Sequence, residues 1–189
     1  MVLGEQEIVA RAKEDPAAFS ALYEAYVDKI YSYVYHRVGN HHDAEDLTSR
    51  TFYKALSNLQ RYTDRGLPFS AWLYRIAHNL VANFHRDRGR REVLCLDGLI
   101  IAGPQEKAPE VMVERAENID SLQQALRRLP SERQELLILK HNEGLSNAEI
   151  GSIMGRSEGA IKSLYYRTLL ALKRDLTKKR GSDRENEVP

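Results

Sequence analysis

The chain has 189 residues, 42% of them hydrophobic, with 28 Lys and Arg against 27 Asp and Glu and a formal net charge of +1. Its single cysteine, Cys95, excludes an internal disulfide and a thiolate zinc site, and suits a reducing cytoplasm. The opening MVLGEQEIVARAKEDP has early acids and no long apolar run, so neither a signal peptide nor an anchor is expected, and no segment approaches a membrane span.

In chain order, Asp15-Pro16 predicts an N-cap followed by proline at the first helical position. Phe19, Leu22, Tyr23, Tyr26, Ile30, Val34 and Val38 then recur at helical spacing, and Gly39-Asn40 ends the run. The next stretch, GNHHDAEDLTSRTFYKAL, crowds two histidines and three carboxylates into His41–Asp46. Asp43 is predicted to cap a helix from Ala44, with acidic charge in its positive first turn. Leu47, Phe52, Ala55, Leu56 and Leu59 would form its buried stripe, leaving Asp46, Ser49, Arg50, Tyr53 and Lys54 outward. Only His42 and Asp46 stand four residues apart, and two ligands do not make a specific metal site. A capped helix with a polar outer face is therefore expected, with no metal.

The loop QRYTDRGLP leads into a helix carrying Phe69, Trp72, Leu73, Ile76, Ala77, Leu80 and Phe84 on one face. Three helices with such stripes can bury a small core together. Arg75, His78, Asn79 and Arg86 are predicted to point away from it. Trp72 is expected in the core, while Tyr62 and Tyr74 could pack there or offer rings to an unstacked base. From about Arg91 to Ile119 the periodicity fails, and LDGLIIAGPQEKAPEV reads as a linker or loosely packed segment.

Order returns with Leu122, Leu126 and Leu129. Ser131 and Gln134 predict a capping box for ERQELLILKHN, and Ser146 and Glu149 another for NAEIGSIM. After Gly155, Ser157 can cap a long helix that buries Ile161, Leu164, Leu169, Leu172 and Leu176. No stretch makes a convincing strand, so the expected class is all-α: two small helical domains joined by a linker.

Charge is segregated along this order. Residues 5–46 carry nine acids and four bases, and 61–91 seven arginines and two aspartates. Residues 92–120 swing to seven acids and two bases, and 156–180 to eight bases and two acids. Two basic blocks set between acidic ones suggest two phosphate-facing surfaces. In the second, LSNAEIGSIMGRSEGAIKSLYYRTLLALKR joins a short helix, a tight turn and a longer basic helix, the pattern of a helix-turn-helix. Its outward Arg156, Ser157, Glu158, Lys162, Ser163, Tyr166 and Arg167 suit phosphate and base-edge contact. A plain helical hairpin with a solvated basic face would read the same way.

Taken together, AEDLTSRTFYKAL, FSAWLYRIAHNLVANFHRDRGRR and LPSERQELLILKHNEGLSNAEIGSIMGRSEGAIKSLYYR resemble the extracytoplasmic-function (ECF) sigma factors of bacterial RNA polymerase, in the sigma-70 family. The resemblance covers roughly residues 16–91 as a σ2-like helical bundle and 120–176 as a σ4-like helix-turn-helix. It implies a σ2-like domain over 1–91, a linker over 92–119 too short for another domain, a σ4-like domain over 120–180 and a tail over 181–189. No added C-terminal domain is expected.

The implied function is that of an alternative sigma factor in the cytoplasm, which binds core RNA polymerase and directs it to promoters. Asp43, Glu45, Asp46, Arg50 and Tyr53 would then dock on the β′ clamp helices, and the σ4-like domain would meet the β flap. Tyr62, Asp64, Arg65, Arg75, Asn79 and Arg86 would capture and melt the −10 element of promoter DNA. Arg156, Ser157, Gly159, Ala160, Lys162, Ser163, Tyr166 and Arg167 would read the −35 element. An anti-sigma factor is the further partner implied; no cofactor and no catalytic residue is. Two positions depart from the family pattern: Ala160 stands where threonine or serine is frequent, and Lys162 where arginine is frequent. Lysine lacks the bidentate fork.

The competing reading is a two-domain regulator with a ligand-sensing N-terminal half, which would bind duplex DNA without polymerase. A hydrolase or metalloenzyme is more distant, because no nucleophile–base pairing is visible and the carboxylates sit at capping positions.

Overall fold

The computed structural model describes residues 4–64, 66–89 and 109–185. Arg65, Cys95 and the greater part of the expected linker lie outside the described residues. Within them every regular element is helical, and no helix is long and apolar enough to cross a membrane.

Helix α1 (Glu5–Glu14) was not foreseen, because only Val9 and Ala12 are buried and two anchors make no readable period. A short turn, Pro16–Ala18, follows, opened by Asp15, whose side chain accepts from the Ala17 amide at 2.9 Å. Helix α2 (Phe19–Val38) then runs as its period predicts and stops at Gly39, held left-handed at φ 68°. His85, itself buried, meets the Arg37 carbonyl at 3.0 Å, one of the acceptors a helix end leaves without an intrahelical partner.

Helix α3 (His41–Asn58) starts earlier than expected. Its cap is Asn40, whose side chain accepts from the Asp43 amide at 3.0 Å, and not Asp43. Asp43 is instead held by Arg88 Nη1, 2.9 and 3.0 Å from its two carboxylate oxygens. Leu47, Phe52, Ala55 and Leu59 are buried as predicted, but Leu56 is 41% exposed. Helix α4 (Phe69–Arg88) completes the first bundle. Tyr74 is a core residue, packed edge-on against Tyr33 at 5.5 Å, whereas Trp72 stays partly exposed on the rim.

Helix α5 (Pro109–Arg128) begins inside the segment read as linker. Helix α6 (Ser131–Leu137) lacks the predicted capping box: Gln134 reaches back to donate to the Leu126 and Arg127 carbonyls at 3.0 and 3.3 Å. It passes into a π-helical stretch, Ile138–Asn142. Helix α7 (Asn147–Met154) does carry its predicted box, with Glu149 N to Ser146 Oγ at 3.2 Å and Ser146 N to Glu149 Oε2 at 2.7 Å. Helix α8 (Glu158–Glu185) is entered through Gly155, left-handed at φ 67°, with Ser157 accepting from the Ala160 amide at 3.2 Å. Within α8, Leu169 is 41% exposed, and Thr168 takes the buried place by bonding the Leu164 carbonyl at 2.8 Å. The two helical sets touch: α7 lies on α4, and the π-helical stretch on α2.

Gly151 sets the tightness of the α7–α8 turn. A Cβ there would stand 2.7 Å from the Arg156 carbonyl oxygen, a backbone atom that cannot swing aside. Gly151→Ala should therefore destabilise the helix-turn-helix by about 1–3 kcal/mol, the usual range for overpacking. A melting curve coincident with the parent's would show that the turn relaxes freely.

Candidate nucleic-acid interface

The 62–68 loop is braced from α1, the helix that sequence reasoning missed. Lys13 Nζ donates to the Tyr62 carbonyl at 2.7 Å and Gln6 Nε2 to Asp64 Oδ2 at 2.7 Å. Glu5 accepts from the Phe69 amide at 3.1 Å and from the Tyr26 hydroxyl. Asp64 also accepts from the Gly66 amide at 2.7 Å, which tightens the turn. The Tyr62 ring packs on Phe69 and Trp72, at 5.3 and 5.0 Å. Burial, then the nearby Asp64 and Glu5 carboxylates, push its phenol above the ordinary value, so it stays an O–H donor.

A cavity of about 420 Å³ opens beside this loop, lined by Arg61, Tyr62, Trp72, Arg75, Asn79 and neighbouring apolar side chains, with Ser152 of α7 on its wall. The structure thus brings Tyr62, Arg75 and Asn79 together, as the sequence predicted. Asp64 lies apart, in an adjoining cavity of about 680 Å³ with Gly66 and α1. Arg86 lines neither; it is exposed and bonds Asp87 at 3.3 Å. Arg65 is outside the described residues. Arg61 and Trp72 were missed as site residues, although both stand in the quoted motifs; Lys54 and Asn58 join them in a shallower extension. Their one-turn spacing on α3 was the available signal. The cavity has flat aromatic walls, cationic guanidinium groups and an amide, the set that an unstacked base fits.

On α3, Glu45, Asp46, Arg50 and Tyr53 share one exposed face, with Asp46 and Arg50 paired loosely at 3.5 Å and Tyr53 73% exposed. Asp43 stands at its edge, tied to Arg88. Leu56, misplaced in the core by its period, extends this face with an apolar side chain. His41 is engaged within the fold: its Nδ1 lies 2.6 Å from the Tyr31 hydroxyl, and its ring stacks on Tyr35 at 4.4 Å. Among the described residues no group of three or more His, Cys, Asp or Glu is placed to hold a metal ion.

Along α8, Lys162, Ser163, Tyr166 and Arg167 are exposed, with Lys162 paired to Glu158 at 2.8 Å and Arg167 Nε donating to the Ser163 carbonyl at 3.3 Å. Other predicted readers have work inside the fold. Arg156 pairs with Glu132, Ser157 is the cap, and Ala160 is partly buried. Gly159 is exposed, with open space around it.

His78 corrects an expectation. It faces the second domain, its Nδ1 2.6 Å from Glu135 Oε1, where Tyr33 also donates at 2.5 Å and Arg37 pairs with Oε2 at 2.6 Å. Burial alone would raise the Glu135 pKa, but the Arg37 charge and the His78 and Tyr33 bonds outweigh it and leave it at about 2, against an ordinary 4.5. The stability from this depressed carboxylate is present above pH about 4.5 and is lost as pH falls towards 2. Acid titration followed by fluorescence should show a transition there that Glu135→Gln lacks.

Residues 22–91 match the Sigma-70 region 2 family and residues 119–172 the Sigma-70 region 4 family. The ECF RNA polymerase sigma factor SigW of Bacillus subtilis (strain 168) is 33% identical over 172 residues, covering 87% of this chain and 91% of SigW. The chain belongs to the ECF sigma factor family. BldN of Streptomyces coelicolor, another ECF sigma factor, is 44% identical over 170 residues, 89% of this chain but 64% of BldN, so this sigma factor spans less than two thirds of that relative. The fold is shared with RpoE in complex with the anti-sigma factor NepR from Bartonella quintana, at TM-score 0.61 and 23% identity over 84% of this chain and 96% of RpoE. It is shared also with CnrH in complex with the cytosolic domain of CnrY, at TM-score 0.60 and 22% identity over 92% and 97%.

On the sigma factor's α8, Lys162 and Arg167 are two exposed cations near the helix start. Replacing either with alanine should weaken duplex binding and lower the salt slope by about one if the contact is to phosphate. Loss at a single promoter position would mark base readout, and unchanged promoter use by both variants would remove α8 from the groove.

Proposed function

We propose that this sigma factor is a transcription-initiation factor rather than an enzyme, working in the cytoplasm on promoter DNA. Residues 1–91 form the σ2-like domain, 92–119 the linker and 120–180 the σ4-like domain. Glu45, Asp46, Arg50 and Tyr53, with Asp43 at the edge, dock on core polymerase. The Tyr62–Asn79 cavity captures an unpaired base of the −10 element, with Asp64 and Arg65 on its loop and Arg86 further along α4 on the DNA backbone. The exposed face of α8 reads the −35 element in the major groove, with Arg156, Ser157, Gly159 and Ala160 at its entry.

The observation that supports this best is one chain carrying both a helix-turn-helix and a cavity roomy enough for a base, with aromatic and guanidinium walls. A regulator that binds only duplex DNA has no use for the second. NepR acts on RpoE as an anti-sigma factor; a protein of that kind is the further partner proposed for this chain. Run-off transcription with core RNA polymerase, followed by mapping of start sites, tests the assignment. Discrete starts that require both proteins are expected. Tight duplex binding by the chain alone, with no start site dependent on it, would establish the regulator instead.

A further inference from the structure

Helix α1 is ten residues long and buries only Val9 and Ala12, too short and too thinly anchored to stand alone. Its polar groups converge on one target, the segment 60–69. Lys13 Nζ donates to the Tyr62 carbonyl at 2.7 Å and stands 5.7 Å from the centre of the Tyr62 ring. The Lys13 carbonyl in turn accepts from Gln60 Nε2. Gln6 Nε2 reaches Asp64 Oδ2 at 2.7 Å, and Glu5 Oε2 accepts from the Phe69 amide at 3.1 Å. The other Glu5 oxygen takes the Tyr26 hydroxyl of α2, which ties the carboxylate to the bundle. Burial first, then the bond to Glu5 and its charge, raise the Tyr26 phenol well above its ordinary value, so it stays a donor.

Phe69 opens α4, and the residue before it is Pro68, whose side chain has no acceptor to cap the helix. The first amides of a helix lack intrahelical partners, and a carboxylate there also suits the positive helix end. Glu5 therefore caps α4 from another helix. Lys13 fixes the opposite end of the loop, at Tyr62. The loop's own bond, Gly66 N to Asp64 Oδ1 at 2.7 Å, tightens its middle but ties neither end to the bundle.

We infer that Glu5 and Lys13 are positioning residues for promoter opening: from α1 they pin the two ends of the 62–68 loop where the Tyr62 ring and Asn79 receive an unpaired base.

The link to opening rests on the function proposed above; the order of the loop does not. A site built on a loop is less precise than one built on helices unless other side chains lock it. Tyr62 comes from the loop and Asn79 from α4, so the shape of the cavity depends on where each end of the loop is pinned. A loop freed at Tyr62 has to be ordered again before it can hold a base, and that ordering weakens binding. Glu5 and Lys13 line the adjoining cavity, which shares Tyr62 with the first. They act through Tyr62 and Phe69 rather than on the base.

The test uses the full chain. Trp72 is its single tryptophan and lies 5.0 Å from the Tyr62 ring on the cavity wall, so its fluorescence reports loop order. Lys13→Met keeps the apolar stem and removes the donor, whereas Lys13→Arg keeps a donor. Glu5→Ala removes the acceptor, and Glu5→Gln keeps one. In the free protein, acrylamide quenching of Trp72 should rise roughly twofold for Lys13→Met and for Glu5→Ala, as local order is lost. Lys13→Arg and Glu5→Gln should stay near the parent. With core polymerase on duplex promoter, the rate of open-complex formation at saturating protein should fall roughly tenfold for the first two variants, the effect of one lost hydrogen bond to a charged group. The protein concentration giving half the maximal rate should not change, because the docking residues are on α3. Parental quenching in both variants, or parental opening by both, would overturn the proposal. So would a salt slope lower by about one for Lys13→Met, which marks a direct phosphate contact. A fall in melting temperature and core affinity together would reduce α1 to a scaffold and overturn it as well. Quenching needs neither polymerase nor DNA, so failure of the brace and failure of the proposed function are read separately.

Discussion

Asp46→Arg should abolish core polymerase binding while leaving α3 folded. Asp46 is exposed, and among the described residues its ion pair is with Arg50 at 3.5 Å, a surface pair four residues along the helix. Such pairs contribute at most a few tenths of a kcal/mol, so their loss leaves the helix standing. The cap does not depend on it either, because Asn40 holds the Asp43 amide. In the proposed complex the same carboxylate would meet a basic surface, together with Glu45, Tyr53 and the exposed Leu56. Truncating one member of a desolvated charge contact costs about 2–5 kcal/mol, and reversal should cost at least that, a loss of roughly 30- to 5000-fold in affinity. Equilibrium titration with labelled core polymerase reads this loss, and circular dichroism checks the fold. Parental affinity in a folded variant would remove α3 from the polymerase interface.

Asn79→Ala should leave core binding and −35 contact intact but impair strand opening. Extruding a base from the duplex costs a few kcal/mol, which the pocket must offset. Asn79 is exposed on the cavity wall beside Arg61 and Tyr62, with an amide that can both donate and accept. Losing those bonds costs about 1–3 kcal/mol, or roughly 5- to 150-fold in the open complex. Permanganate reactivity of unpaired thymines should fall by that order. A template carrying a pre-melted bubble should recover much of the transcription, since it removes the unpairing cost. Replacing the Tyr62–Pro68 loop with glycine and serine should act in the same direction and more strongly. That variant also cuts the Gln6–Asp64 brace to α1, so Asn79→Ala is the cleaner reading. Full opening of duplex promoter by both would reduce this segment to a hinge.

What could be read from the chain alone was whatever rests on neighbours within about one helical turn. The helical periods of α2, α4 and α8, the left-handed glycines at Gly39 and Gly155, the Ser146–Glu149 box and the Ser157 cap all depend on such spacing. So do the outward faces with Asp46, Arg50 and Tyr53, and with Lys162, Tyr166 and Arg167. The cavity residues Tyr62, Arg75 and Asn79 came from the motif's resemblance, and their loop and helix are close enough in the chain to meet.

The misplacements turn on what lies beyond one helical turn, whether a contact is made there or not. Gln134 fits a local capping box, but it is itself buried and donates instead to the Leu126 and Arg127 carbonyls near the end of α5, so that its polar side chain is satisfied. Asp43 is a good cap by type, yet Arg88 at the far end of α4 holds it, and Asn40 caps instead. Leu56 and Leu169 keep helical period, yet both stay 41% exposed, because period alone does not decide which face another element covers. Glu135, in an ordinary charged heptapeptide, is buried only because Tyr33, Arg37 and His78 arrive from two other helices to match its charge. Local spacing specifies helices and their faces through short-range sterics and hydrogen bonds. Which face becomes interior, and which charge can be taken out of water, depends on what the rest of the chain brings against it.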